Sequence, residues 1–274
     1  MPYARARIGL AVINVAFLMM LTTFAYVYQM PSTFFPYYGG PFYTDLAGFF
    51  VFYLAYAGLS FPFDLWGGFL LPWQHHRPAQ RLPAFLRKWL RGVGVQAAVM
   101  STSALLLLEA GKAYGIWGAA AALLVLQVVL LQLQWPLARL AGGLTITPGP
   151  TAGSPILAGA VDSGFTGGVA GLPGLESRIQ PRSWNETLSA QALFSEPIRH
   201  EGIAKTGART RGVLLAMTWN LAGFVLSASL PWVGVDTIFS LLETLLGCTL
   251  WSFLGLFVLP AFSRPGTLQA DHYA

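Results

Sequence analysis

Charged side chains are scarce in this 274-residue sequence. Only 10% of the residues are charged, whereas 55% are hydrophobic, and the mean hydropathy is +0.57. A soluble domain carries about 25% charged residues. Most of the surface therefore cannot face water, and the composition predicts a polytopic integral membrane protein.

Cysteine, histidine and lysine are also rare, and each scarcity excludes a class of site. The single cysteine, Cys248, excludes an internal disulfide framework and any multi-cysteine metal or iron–sulfur site. The lysines lie outside the apolar segments or at their edges, which excludes a retinal-binding lysine within a span. Too few histidines are present for a di-haem cytochrome b core or a membrane di-iron hydroxylase. The four histidines are His75, His76, His200 and His272.

Apolar segments long enough to cross a bilayer core of roughly 30 Å recur along the chain. No small-residue cleavage site follows the first of them, so we expect it to remain a membrane span rather than a signal peptide. The short links at 111–114 and 234–236 predict antiparallel helical hairpins. The sequence thus predicts an all-α polytopic membrane protein of about six transmembrane helices, with a small cytoplasmic subdomain between spans four and five. The six segments are 8–29, 44–62, 92–110, 115–137, 212–233 and 237–262.

The segment 62–73 departs from a regular span. Its prolines and glycines, Pro62, Gly67, Gly68 and Pro72, predict a break after the second span. A short re-entrant or interfacial piece is the structure expected there.

Positive charge is distributed unevenly between the links. Basic residues cluster at the N-terminus, in 74–91 and in 138–211, whereas the opposite links contain only Lys112. Cytoplasmic loops carry the excess of lysine and arginine. We therefore expect both termini in the cytoplasm, in a membrane of the bacterial inner type. The net charge of +5 is explained by this topology, so no nucleic-acid partner is expected.

Four regions follow from this topology. Residues 1–141 form a four-span membrane domain, 142–210 a cytoplasmic Gly/Pro-rich loop with short helices, 211–263 a membrane hairpin, and 264–274 a cytoplasmic tail. The glycines and prolines of 142–174 predict irregular structure, and 176–184 predicts a short strand that stops at Pro181.

Residues 80–91 combine cations with apolar side chains at helical spacing. Two compatible interpretations stay open: an amphipathic helix in the cytoplasmic interface, with cations toward lipid phosphates, or the entry of the third span. The interfacial residues are Arg81, Arg87, Lys88, Trp89 and Arg91.

The cytoplasmic loop contains a His-Glu pair, His200-Glu201, in "LFSEPIRHEGIAKTG". The order of a glycine-rich bend, a strand, "PRSW" and this pair resembles the integral membrane zinc metallopeptidases of the HtpX and CAAX prenyl protease group. In that group a helix carries H-E-x-x-H. The resemblance implies that His200 is the first zinc ligand and Glu201 the general base.

The second histidine of that motif is missing, because position 204 is Ala204. A catalytic zinc needs about three protein ligands besides its water. We therefore expect a non-catalytic, metallopeptidase-like protein that serves as a scaffold, accessory or regulatory subunit with other membrane subunits, and no cofactor. An active zinc metallopeptidase using His200 and Glu201 is the first alternative, and only this alternative requires zinc.

Polar side chains within the spans suggest a second alternative. Asn14, Asn220 and Glu243 lie inside apolar segments, where polar groups are costly and face the interior of the helix bundle. We expect hydrogen bonds between helices at these positions. A small transporter or channel with Glu243 in its pathway is the alternative function.

Overall fold

A computed structural model describes residues 3–34, 40–76, 80–147, 156–159, 165, 167–184, 188–189, 202–203 and 205–273. The chain divides into two compact units. Unit 1 comprises Met1–Leu123 and Leu221–Phe253, and unit 2 comprises Leu124–Asn220 and Leu254–Ala274.

Eight α-helices are described, and the long ones are mostly apolar. Five helical segments of the described chain are long and apolar enough to cross a membrane, which confirms the predicted polytopic helical class. The helices are α1 Tyr3–Val27, α2 Met30–Phe34, α3 Phe42–Leu65, α4 Leu71–Gln74, α5 Leu82–Gln132, α6 Gln134–Gly142, α7 Ala208–Ala228 and α8 Ile238–Tyr273.

Helix α5 contains 51 residues and includes both the third and the fourth predicted span. A straight helix of that length would measure about 76 Å, far more than a bilayer core. The helix is interrupted at Gly115, whose φ of 64° and ψ of −157° are not helical. A Cβ atom on Gly118 would lie 2.7 Å from the carbonyl oxygen of Ala110. Residues eight apart in a straight helix are about 12 Å apart, so the chain folds back at Gly115 into a tight hairpin.

Contacts between helix ends show that neighbouring helices of unit 1 run antiparallel. The rings of Tyr3 and His75 lie 5.5 Å apart, which places the start of α1 beside the end of α4. The indole of Trp89 donates to Asp64 over 3.0 Å, which joins the end of α3 to the first part of α5. A Cβ atom on Gly111 would overlap Val235, so the tip of the α5 hairpin packs against the turn that precedes α8.

The predicted break after the second span is a π-helical turn, Trp66–Leu70, between α3 and α4. The amide of Leu71 donates to the carbonyl of Trp66, the five-residue spacing of a π-helix. The glycines of this turn allow close approach, because a Cβ atom on Gly68 would lie 2.8 Å from Phe85 Cε2. The chain continues in a helical conformation through this segment instead of forming a separate re-entrant piece.

A four-stranded sheet belongs to unit 2. Its strands are β1 Thr145–Thr147, β2 Ile156–Gly159, β3 Gly168–Ala170 and β4 Ser177–Pro181, in the order β1-β2-β4-β3. Strands β2 and β4 are parallel, and the two outer pairs are antiparallel.

A small apolar cluster stabilises this sheet. Ala158, Ala170 and Ile179 are buried, and Trp135 and Phe165 pack against them. The prediction that 142–174 is irregular is therefore wrong: three of the strands come from this region. Several described glycines of this region, among them Gly167, Gly171 and Gly174, lie outside the strands and have positive φ, and the strands are too short to show a period in sequence. The predicted strand that stops at Pro181 is confirmed as β4.

The last helix is longer than the predicted sixth span. Helix α8 continues through Pro260 and Pro265 to Tyr273, so residues 264–273 extend it instead of forming a separate tail. Helix α5 begins at Leu82 and runs without a break into the third predicted span. Of the two interpretations of 80–91, this corresponds to the second, the entry of the third span.

Candidate functional site

The His-Glu pair falls outside the described residues, as does Ala204. The chain immediately after the pair is described. The amide and the hydroxyl of Thr206 both donate to the carbonyl of Gly202, over 2.9 Å and 2.8 Å, so one helical turn follows Glu201. Gly207, with φ of 65°, has the left-handed conformation that commonly ends a helix, and α7 begins at the next residue.

The donor atoms in this region do not fit a catalytic zinc. One imidazole and one carboxylate are contributed by the pair, and Ala204 contributes no ligand atom. Among the described residues, no group of three or more His, Cys, Asp or Glu side chains lies close enough to hold a metal ion. No hydrolytic step through zinc can be derived from these residues.

The start of α7 is fixed to the sheet by Arg209. Its guanidinium donates to the carbonyl of Val169 over 2.9 Å and to the carbonyl of Gly171 over 2.5 Å. The carboxylate of Glu176 lies 3.8 Å from Arg209 Nε, and both side chains are largely buried. Val169 lies in β3 and Gly171 directly follows it, so the two carbonyls are two residues apart. Arg209 therefore donates to two carbonyls along β3, which is an outer strand of the sheet. The chain between β4 and α7, which contains His200-Glu201, is thereby anchored at its C-terminal end.

The glycine-rich bend between β3 and β4 contacts the end of α5. Gln132 Oε1 accepts a hydrogen bond from the amide of Leu172 over 3.3 Å. Gly171 has φ of 102°, and a Cβ atom there would lie 2.9 Å from the carbonyl of Leu175. Glycine is needed at this position, where sequence analysis predicted only a bend.

The three predicted intramembrane polar residues have different surroundings. The side-chain amide of Asn220 donates to Gln127 Oε1 over 3.3 Å, which links α7 to the second arm of α5. The Oδ1 atom of Asn14 is buried and has no hydrogen-bond partner among the described residues. Glu243 is 3% exposed, and neither of its carboxyl oxygens has a partner there.

The predicted interfacial residues lie at the start of α5: Arg81 directly precedes the helix, and the other four lie on its first three turns. Arg81, Arg87 and Arg91 are exposed and Lys88 is half-buried. The ring of Trp89 packs edge-on against Phe61, with centroids 4.7 Å apart, and its indole N–H donates to Asp64. Trp89 therefore faces α3, while the arginines extend outward.

One polar cluster was not predicted from sequence. The ammonium of Lys112 contacts Asp45 Oδ2 at 2.9 Å and Glu109 Oε1 at 2.8 Å. Asp45 is 2% exposed, and its second oxygen is buried and has no hydrogen-bond partner in the part of the chain that the structure describes. Sequence analysis used Lys112 only as a topology marker. The spacing Glu109-Lys112 was the available signal for an ion pair, but the contact with Asp45 has no sequence signature.

The fold is similar to that of a solved structure, the crystal structure of S. mikatae Ste24p, which supports the predicted resemblance to the CAAX prenyl protease group. It matches with a TM-score of 0.75 and 12% sequence identity, over 99% of this chain and 75% of that chain. At this identity the similarity establishes the fold alone. No protein-family model and no curated protein matches the sequence.

Proposed function

We propose that this protein is a non-catalytic, metallopeptidase-like membrane protein that acts as a scaffold, accessory or regulatory subunit. One observation carries the proposal: a chain with the Ste24p fold has Ala204 at the position where the H-E-x-x-H motif requires its second histidine. The two ligands of that motif are four positions apart, because this spacing puts both on one face of a helix. A methyl side chain at the second position cannot bind zinc.

The consequence for chemistry is direct. Zinc in a metallopeptidase lowers the pKa of its bound water and polarises the scissile carbonyl. Without a full set of ligands, Glu201 has no metal-bound water to act on. A protein of this kind works by binding, so its partners are the lipid bilayer and other membrane subunits, and no resident cofactor is required.

Peptide hydrolysis tests this proposal. The purified wild-type chain is incubated with a prenylated CAAX peptide and with an unprenylated peptide, beside Glu201→Gln. We expect no zinc-dependent cleavage by either protein. Cleavage by the wild type that is abolished in Glu201→Gln and by a chelator would establish the alternative, an active metallopeptidase using His200 and Glu201.

We further propose that the termini are cytoplasmic and that the membrane is of the bacterial inner type. The basic residues of α1 and of the first part of α5 support this orientation, because Arg5 and Arg81 lie at the same end of unit 1 as the Tyr3–His75 contact. Single-cysteine variants Arg5→Cys and Ala113→Cys, made in a Cys248→Ser background, test it in intact cells. A membrane-impermeant maleimide should label position 113 and not position 5, and the reverse pattern would contradict the proposed orientation.

A further inference from the structure

Glu243 lies inside a membrane-spanning helix and has no ion-pair or hydrogen-bond partner among the described residues. It is five residues after Ile238, the first residue of α8, or about 7.5 Å along the helix axis. Its side chain is 3% exposed, and both carboxyl oxygens lack a hydrogen-bond partner among the described residues. An unpaired carboxylate in such a place is energetically costly. A bound proton or cation would remove this cost.

The cations of unit 1 do not supply that ligand. The ammonium of Lys112 is bound by Asp45 and Glu109. The described arginines and histidines of this unit belong to α1, to the end of α4 and to the first turns of α5. These elements lie at the end of the unit marked by the Tyr3–His75 contact. Glu243 is near the opposite end, because the turn that leads into α8 packs on Gly111.

Polar, uncharged side chains pack against α8 one turn beyond Glu243. Gly247 is one turn further along α8 and shares the face of Glu243. A Cβ atom on Gly247 would lie 3.5 Å from Tyr26 Cε2 and 2.8 Å from Ser227 Oγ. The hydroxyl of Tyr26 is buried and has no hydrogen-bond partner among the described residues. Hydroxyl oxygens can coordinate a cation or bind a water molecule.

Other buried polar atoms of unit 1 also lack a hydrogen-bond partner among the described residues. Buried groups of this kind are normally hydrogen-bonded to protein or to ordered water, so these atoms indicate bound water or ions inside the unit. The atoms are Asn14 Oδ1, Asp45 Oδ1, Ser60 Oγ, Gln80 Oε1, Ser101 Oγ and the Tyr26 hydroxyl.

We propose that Glu243 is a binding site for a single positive charge within the membrane domain, either a proton or a monovalent metal cation. A single carboxylate carries one negative charge, so one proton or one monovalent cation neutralises it. A divalent cation would need further carboxylates and more oxygen ligands. The site is independent of His200-Glu201 and of whether the protein hydrolyses peptides.

Labelling with dicyclohexylcarbodiimide, a membrane-soluble carbodiimide, tests this proposal on the purified full chain in detergent. The O–H of a protonated carboxyl adds across one C=N bond of the reagent, and the acyl group then shifts to nitrogen. Nothing leaves, so the chain gains the mass of one reagent molecule. Labelling is measured by peptide mass spectrometry in choline chloride, sodium chloride and potassium chloride at equal ionic strength.

Each outcome supports or overturns the inference. A stable adduct on Glu243 at the same rate in all three salts identifies the ligand as a proton. An adduct that forms in choline chloride and several-fold more slowly in sodium or potassium chloride identifies a metal cation. No adduct on Glu243 in any salt would overturn the proposal.

Matched variants control the experiment. Glu243→Gln should lose the adduct, whereas Glu109→Gln, which alters an exposed carboxylate paired with Lys112, should retain it. Because the adduct is mapped on the wild-type chain, the result does not depend on the folding of either variant.

Discussion

The ammonium group of Lys112 lies 2.9 Å from Asp45 Oδ2, although the two residues are 67 positions apart in the chain. This contact joins the first turn of α3 to the tip of the α5 hairpin. The Asp45 side chain is 2% exposed, whereas that of Lys112 is 36% exposed. The pair is therefore a half-buried salt bridge between two helices. Removal of the Lys112 ammonium would leave the buried Asp45 carboxylate without its cation.

Lys112→Met should destabilise the protein by about 1–2 kcal/mol, less than a fully buried pair because Lys112 is partly solvated. Thermal unfolding in detergent measures the effect. The double variant Asp45→Asn, Lys112→Met should recover part of the loss, since no unpaired charge remains. Glu109→Gln is the control with little effect, because Glu109 is exposed. Equal melting temperatures for wild type and Lys112→Met would show that the contact contributes nothing.

Gly115→Ala should destabilise the α5 hairpin by about 1–3 kcal/mol. The φ and ψ of Gly115, 64° and −157°, belong to a region that is essentially restricted to glycine. Gly94→Ala is the matched control in the first arm of the same helix, where a Cβ atom would meet nothing within 4 Å. That substitution should be neutral or stabilise by up to about 1 kcal/mol, because alanine favours the helix. If both substitutions shift the melting temperature equally, the hairpin conformation at Gly115 is not required.

Arg209→Ala should loosen the sheet without unfolding the membrane helices. Two carbonyls, those of Val169 and Gly171, would lose their donor. Amide hydrogen exchange should rise in β3 and the following bend, while α5 remains protected. Arg209→Lys should rescue little, because an ammonium cannot reproduce the two-pronged donor geometry of guanidinium. Unchanged exchange in both variants would contradict the anchoring role.

The membrane helices were predictable from sequence because a span is recognised by the mean hydropathy of about twenty consecutive residues. The segments 92–110 and 115–137 were correctly separated, although α5 is helical on both sides of Gly115. The exact ends were less well determined. Residues 264–273, for example, were predicted as a tail, but α8 continues through them despite Pro265, and Gly266 packs on Ala208.

The sheet and the polar contacts were not predictable in the same way. Strands of three to five residues show no usable period, and β2–β4 pairing depends on residues more than twenty positions apart. Arg209 was counted only as a positive charge near a membrane, yet it is the residue that joins the sheet to α7. A single sequence contains no information on which distant carbonyl an arginine will contact.

Zinc content tests the central claim, that the chain is a metallopeptidase-like protein without a catalytic metal. Elemental analysis is made on protein purified in mild detergent without chelator, for the wild type, His200→Ala and Ala204→His. We predict substoichiometric zinc in the wild type that is unchanged in His200→Ala, and increased zinc only where Ala204→His restores the second ligand of the motif. Zinc near one atom per wild-type chain, lost in His200→Ala, would contradict the account and identify His200 as a ligand of a working metal site.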